Sequence, residues 1–511
     1  MNIFNSVKLQ KPKRNKFNLT HDVKMSGKMG NLMPCALIEA VPGDTFNISS
    51  DAFVRFAPMT APIMHRVDVS CHYFFVPNRI VWENWEKFIT NDDSAPEMPL
   101  IEINDGIGPD NKKFLDYLGV PPIEPGGTAT QLNAIPMAAY QAVYNDYYRD
   151  ENLVTEVDYK LTDGVQSTTK FNELTTLRKR AWEHDYFTAA LPFAQKGAAV
   201  DIPIGEIELK DDWSAASTPS FKNTTGGIEF GSNAVTSESS TSDISVGGTN
   251  PMAYDPDGSL KAGSTTINEL RRAFRLQEWL EKNARGGTRY IENILAHFGV
   301  KSSDKRLQRP EYITGVKSPV VISEVLNTAG PQTNGSIANP QGAMAGHGVS
   351  VSAPYNGKYY VEEHGYIIGI CSVMPKPAYQ QGIPKTFLKN DPLEYFWPSF
   401  AHIGEQEVQN QELYAYTSDK SDTFGYIPRY AEYKYMPSRV AGDFRDDLKY
   451  WHLGRIFNSQ PTLSQEFIEC SSEETARIFA VTDDIEDQLY MDVLNKITAV
   501  RPMPIYGNPN L

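Results

Sequence analysis

The sequence predicts a mainly β fold with long irregular connections. Three observations carry that expectation. Period-2 alternation of apolar and polar residues recurs near both ends of the chain. The 511 residues include 34 Pro and 36 Gly, which favour short elements joined by long loops. The 26 Tyr and 24 Phe suit a pleated, half-buried surface. Hydrophobic residues at 41% and charged residues at 22% are ordinary globular proportions, so a packed core is within reach.

Taken in order, residues 1–40 read as a basic amino-terminal arm. Its first 30 residues hold Lys8, Lys11, Lys13, Arg14, Lys16, Lys24 and Lys28 against Asp22 alone, with little apolar periodicity. The turn signal Pro42-Gly43-Asp44 opens a strand zone running from Thr45 through Ile48 towards Ala52 and Phe56. In Arg66 to Val76, the residues Val67, Val69, Cys71, Tyr73 and Phe75 alternate with Arg66, Asp68, Ser70 and His72, the clearest strand of the chain. These two zones are expected to pair as neighbours. A helical insertion over residues 79–205 follows, in which Val81, Trp82, Trp85, Phe88 and Ile89 share one face. A second face collects Tyr140, Val143, Tyr144 and Tyr147 after Pro136.

Residues 211–265 are rich in Ser, Thr, Gly and Asn and cannot bury much surface, so they read as a surface insertion, either a flexible loop or an excursion that carries contacts. A helical pair spans residues 266–312. Its first helix opens on the capping-box pattern Thr266-Ile-Asn-Glu269, carries Ile267, Leu270, Ala273, Phe274 and Leu280, and stops at Gly286-Gly287. The second buries Tyr290, Ile291, Ile294, Leu295 and Phe298 and ends at Gly299. Late in the chain, Gly365 to Met374 and Arg429 to Tyr435 repeat strand patterns, the latter with Tyr433 and Tyr435 opposite Glu432 and Lys434.

A net charge of −15 excludes a protein that coats nucleic acid with its general surface, because phosphate binding needs clustered Lys and Arg. The cluster Lys8, Lys11, Lys13, Arg14 and Lys16 is the exception: it could neutralise phosphates without reading bases, or be a solvated tail. Cys35, Cys71, Cys371 and Cys470 lie far apart with no Cys-x-x-Cys pair, so neither a zinc site nor a disulfide framework is indicated and a reducing compartment fits. With no signal-peptide core and no apolar run near the roughly 20 residues of a membrane span, the chain reads as soluble and not inserted in a membrane.

Enzyme chemistry finds no foothold. Asp255-Pro-Asp257-Gly258 lacks the remaining ligands of a calcium loop and reads as an Asx turn. Glu362-Glu363-His364 on a strand would point to opposite faces, and reads as solvated edge residues. His184-Asp185-Tyr186 has no nucleophile motif beside it, and Gly286-Gly287-Thr288-Arg289 lacks the P-loop Lys and reads as a linker between helices. No catalytic residue, metal ligand or cofactor is assigned.

The wording of these segments resembles the major capsid proteins of the Microviridae, particularly the gokushovirus-like branch, nearly end to end. The resemblance rests on Val41-Pro-Gly-Asp-Thr-Phe46, His72-Tyr-Phe-Phe-Val-Pro-Asn-Arg79, Val81-Trp-Glu-Asn-Trp85, Leu132-Asn-Ala-Ile-Pro136 and Tyr144-Asn-Asp146 with Tyr148-Arg-Asp150. It continues through His184-Asp-Tyr-Phe-Thr188, Ala284-Arg-Gly-Gly-Thr-Arg-Tyr290, Arg306-Leu-Gln-Arg-Pro-Glu-Tyr312, Glu363-His-Gly-Tyr-Ile-Ile-Gly369, Gln380-Gln-Gly382, Arg429-Tyr-Ala-Glu-Tyr433 and Pro437-Ser-Arg439. It implies an eight-stranded antiparallel jelly roll of the viral capsid type, one domain over residues 41–511 with long helix- and loop-containing insertions. It further implies a T=1 icosahedral shell, built from copies of the chain in the host bacterial cytoplasm, around circular single-stranded DNA. The partners it implies are a small basic DNA-binding protein, a pilot protein and a host surface receptor. In that branch an insertion in this part of the chain builds protrusions about the three-fold axes, which suits residues 211–265. The rival reading, motivated by the acidic charge and many Tyr and Trp residues, is a β-sandwich carbohydrate-binding or hydrolytic protein.

Overall fold

Two antiparallel sheets, of seven and four strands, pack face to face in the computed structural model, which describes residues 13–91, 96–201, 207–209, 222–223, 252–253, 260–262, 266–326, 344–352, 355–481 and 486–506. The strands of these sheets are β1 (Asn15–Asn18), β2 (His21–Gly27), β3 (Met33–Ala40), β4 (Thr45–Phe56), β5 (Val67–Pro77), β6 (Glu311–Pro319), β7 (Val321–Leu326), β8 (Met344–Val351), β9 (Gly357–Tyr360), β10 (Gly365–Pro375) and β11 (Leu489–Arg501). In the larger sheet β11 lies between β4 on one side and β1 and β2 on the other, and the far edge of β4 is shared by β8 and β9, with β7 outside β8. The smaller sheet runs β6-β5-β10-β3. Both sheets therefore draw on strands from the two ends of the chain.

The period-2 patterns explain the sandwich. On β4 the inward set is Phe46, Ile48, Ala52, Val54 and Phe56, and on β11 it is Leu489, Met491, Val493, Ile497 and Ala499, all buried. They meet Val67, Val69, Cys71, Tyr73 and Phe75 of β5 and Ile367 and Val373 of β10 across the interior. The other face of the smaller sheet is also covered. Phe74 and Val76 of β5 and Ile368 and Ile370 of β10 pack under Trp82 and under Ile135, Tyr140 and Val143 of the helix Ile135–Val143, which continues as a π turn over Tyr144–Tyr148. Burial on both faces is why β10, and the Tyr73 to Val76 half of β5, are apolar almost throughout.

Several expectations are corrected. The zones that become β4 and β5 are not neighbours: they sit in opposite sheets, and the connection over residues 57–66 carries the chain across the sandwich, so Val54 and Val67 face one another through one core. Within the span read as the arm, the described part carries the strands β1, β2 and β3; β1 and β2 line an edge of β11 and are mostly solvated, and their Lys and Asp residues hid the pattern. Arg429 to Tyr435 is not a strand. The strand is Thr423–Pro428, paired with Glu405–Gln409; Pro428 ends it, Tyr430 turns the chain at φ 61°, and a short helix follows over Ala431–Lys434.

The helical pair forms with its predicted ends. Thr266 N–H donates to Glu269 Oε2 at 2.9 Å, Glu269 N–H donates to Thr266 Oγ1 at 3.3 Å, and the helix Ile267–Gly286 follows. The second helix, Tyr290–Phe298, stops at Gly299 with φ 69°. The stripe of the second helix, however, is not buried as expected: Tyr290, Leu295 and Phe298 are exposed, as are Ile267 and Phe274 of the first. Periodicity reports that a helix has an apolar side and is silent on what covers it.

Residues 195–285 form a unit of their own, distinct from that of residues 1–194 and 286–511. Within it Ile207–Leu209 pairs with Leu260–Ala262 and Lys222–Asn223 with Met252–Ala253. The remainder of the 211–265 insertion, including Asp255 to Gly258, lies outside the described residues.

Candidate functional site

Of the five basic residues assigned to nucleic acid, Lys8 and Lys11 lie outside the described residues, and Lys13, Arg14 and Lys16 are exposed at the start of β1. Their backbone is fixed: Asn15 Nδ2 donates to the Met503 carbonyl at 2.7 Å, and Lys16 is opposite Val500 of β11. Among the described residues no carboxylate lies within ion-pair distance of Lys13, Arg14 or Lys16, while Arg14 rests over the Tyr360 ring at 5.9 Å. Beneath them Asp44 is fully buried at 3.5 Å from Arg501. Burial raises its pKa, opposed by the Val41 N–H and the Arg501 charge. The edge of the sheet therefore fixes the backbone from which these cations extend.

Three of the family-like motifs converge on the π turn. Arg289 donates to the carbonyls of Asn145 at 2.7 Å and Arg149 at 2.9 Å and pairs with Glu151 at 2.8 Å. Arg309 donates to the Asp146 carbonyl at 2.9 Å, pairs with Asp304 at 3.4 Å, and lies over the Tyr147 ring at 4.7 Å. Tyr147 in turn donates to the Pro310 carbonyl at 2.7 Å. The helix ends at Tyr148, so the carbonyls of its last turn lack intrahelical donors, and the two guanidiniums supply them. This is an architectural joint that fastens Arg306 to Tyr312, and the start of the second helix, to the layer over the smaller sheet.

The segments resembling chemical sites are engaged otherwise. Glu363 is not a solvated edge residue: it makes a two-pronged pair with Arg79, and Glu362 pairs with Lys305 at 3.1 Å. Asp185 Oδ1 accepts from the N–H groups of Phe187 at 2.9 Å and Thr188 at 2.8 Å, and Tyr186 donates to Glu412 at 2.7 Å. His184 lines a cleft of about 760 Å³ with His65 and His452. Burial pushes His65 down to about 4, so it is neutral near pH 7. No cluster of three or more metal-ligating side chains, and no helix long and apolar enough to cross a membrane, occurs among the described residues.

Two features escaped the sequence reading. Cys71 and Cys371, 300 residues apart, are disulfide-bonded across β5 and β10 with Cα atoms 4.2 Å apart, correcting the expectation of unpaired thiols. The inward register of Cys71 was legible; that Cys371 sits opposite it on the next strand was not. The second is an aromatic surface. Residues 391–399 are exposed without a break and contain Tyr395-Phe396-Trp397 between Pro392 and Pro398. Two prolines framing three aromatics were the available signal.

Comparison with known proteins places these features. The family model described as "Capsid protein (F protein)" matches residues 5–511. The chain is 37% identical to the capsid protein VP1 of Bdellovibrio phage phiMH2K, over 97% of this chain and 95% of that one. It is 32% identical to the capsid protein VP1 of Chlamydia phage 1, over 100% and 98% respectively. Identity to the capsid protein VP1 of Spiroplasma virus 4 is 29%, over 98% and 95%.

Proposed function

The chain belongs to the capsid protein (F protein) family, and from that premise we propose that it closes a T=1 icosahedral shell around circular single-stranded DNA. It is a major capsid protein of gokushovirus-like Microviridae, a structural component of the virion. The observation that carries the reading is the end-to-end likeness to capsid proteins, which takes in both sheets, the helical layer and the joint at Arg289 and Arg309. We read the sandwich as a jelly roll with insertions, and residues 211–265 as an outward excursion meeting neighbouring subunits or a receptor. The subunit assembles in the host cytoplasm, and a small basic protein and a pilot protein share the particle.

On this reading Lys8, Lys11, Lys13, Arg14 and Lys16 face the interior and contact the packaged DNA. A subunit of charge −15 repels a polyanion over a Debye length of about 8 Å in physiological salt, and a local patch of cations offsets that repulsion. Contacts to phosphate need no base recognition. The test replaces all five with Ser and compares DNA content, DNA retention on heating and salt sensitivity of particles with the parent. Loss of retention is expected; normal packaging, or protease cleavage of the arm from outside intact shells, overturns it. Size-exclusion chromatography with negative-stain microscopy tests the shell itself, since the rival carbohydrate-binding or hydrolytic sandwich would run as a monomer without symmetry.

A further inference from the structure

We infer that residues 387–403 form a preorganised aromatic platform that a second copy of this chain covers in the shell. Phe387, Leu393, Tyr395, Phe396, Trp397 and Ile403 are each at least 50% exposed. A folded subunit rarely leaves so many large apolar groups together on its surface without a partner for them.

The segment is held in shape, and its charged groups are engaged within it or with Glu432. Asp391 Oδ1 accepts from the Leu393 N–H at 2.7 Å, and Glu394 Oε2 accepts from the N–H groups of Asn390 at 2.5 Å and Asp391 at 3.1 Å. Both carboxylates are thus occupied by backbone caps. The Lys389 ammonium pairs with Glu432 at 2.7 Å, lies 4.1 Å from the Tyr433 ring centroid and is only 3% exposed. Trp397 Nε1 donates to the Pro392 carbonyl at 2.9 Å, and the Phe396 ring meets Tyr430 at 5.0 Å. Rigid aromatics with few side-chain torsions to freeze are what interface hot spots are made of.

The occupant follows from charge and area. Single-stranded DNA also stacks on aromatic rings, but it needs a cationic groove, and here the lysine is paired and buried while the remaining charges are acidic. Half-exposed side chains of this size offer on the order of 600 Å² of apolar surface, close to the roughly 800 Å² that each partner contributes to a standard protein interface. A copy of the same chain is the partner that a shell supplies at fixed geometry. The inference rests on the proposed assembly.

The test is oxidative footprinting of Trp397 and Tyr395 in free subunits, empty shells and DNA-filled shells, with assembly assays of Trp397→Asp and Phe387→Asp. Expected are rapid labelling in free subunits, at least 10-fold protection in both kinds of shell, and at least 10-fold higher protein concentration for assembly of each variant with unchanged circular dichroism. Equal labelling in subunit and shell, or assembly of both variants at the parent's concentration, overturns the platform and leaves the capsid reading intact. Protection confined to DNA-filled shells would make DNA the occupant, and protection already present in the free subunit would make it another segment of the chain; either result overturns the inference. A parent chain that forms no shell defeats the assembly reading and the inference with it, and that is seen in the parent alone.

Discussion

Tyr73 and Asn495 join the two sheets: the tyrosine hydroxyl of β5 donates to Oδ1 of Asn495 on β11 at 2.5 Å, with both side chains buried. Asn495 Nδ2 also donates to the Cys35 carbonyl on β3 at 2.9 Å. An inward polar residue on β11 is thereby satisfied on both ends of its amide. Asn495→Ala removes the amide donor from the Cys35 carbonyl and one partner from the Tyr73 hydroxyl, which keeps the Ser50 and Cys35 side chains beside it, at roughly 1–3 kcal/mol in all. Denaturant unfolding of the subunit should show that loss, and adding Tyr73→Phe should recover part of it. Strict additivity of the two changes would mean that the bond across the sandwich is not formed.

Gly382 lies against the backbone carbonyl of Glu412, where a Cβ would overlap the oxygen. Glu412 is itself fixed, accepting from Tyr186 at 2.7 Å and from the Gln409 N–H at 3.0 Å. Gly382→Ala should therefore cost about 1–3 kcal/mol through forced backbone movement. A melting temperature within a degree of the parent would show that the two segments part freely.

Acid should weaken the subunit between pH 6.5 and about 4. Burial pushes His72 down to about 4, with the Arg180 and Lys317 charges acting in the same direction, and burial lowers His65 likewise. Both are neutral when folded and take up protons at an ordinary pKa near 6.5 when unfolded. The stabilisation is complete above pH 6.5 and is lost as pH falls through that window, because the unfolded chain binds more protons there. His72→Gln keeps a polar partner near the Tyr148 hydroxyl, which lies 2.8 Å from His72 Nδ1. It should flatten the fall in melting temperature across this range; an unchanged pH profile would exclude His72 as a contributor.

Alkylation under denaturing, non-reducing conditions should label Cys35 and Cys470 and spare Cys71 and Cys371 until a reductant is added. Mass spectrometry reads the outcome. Labelling of all four without reductant would show that the pair is held as thiols.

The strands that were legible are those with one clean apolar side or two. β5 could be read because Val67 to Phe75 alternates with Asp68, Ser70 and His72, β10 because nearly every residue is buried between two layers, and β4 because Phe46 to Phe56 alternates. Partnership was not legible: pairing depends on how the 57–66 connection crosses the sandwich, and no local pattern records that. β1 and β2 were hidden because edge strands with one solvated face are rich in charge. Tyr433 and Tyr435 alternate with Glu432 and Lys434 as a strand would, yet Pro428 and the left-handed Tyr430 decide the local path. At the site, three of the five cations could be checked and sit exposed on a fixed edge, while the aromatic platform was missed because exposed apolar side chains look like core in a sequence.

The placement of β11 between β4 and the pair β1 and β2 also sets a timetable for synthesis. The strand that unites these three is made after all of them, 433 positions beyond the end of β4. At roughly 10 residues per second, the ribosome leaves that edge of β4 unpaired for on the order of 40 s. Throughout that time it is an open template for other nascent chains. Any product truncated before Leu489 lacks the closing strand and leaves β1 and β2 without the neighbour that joins them to β4.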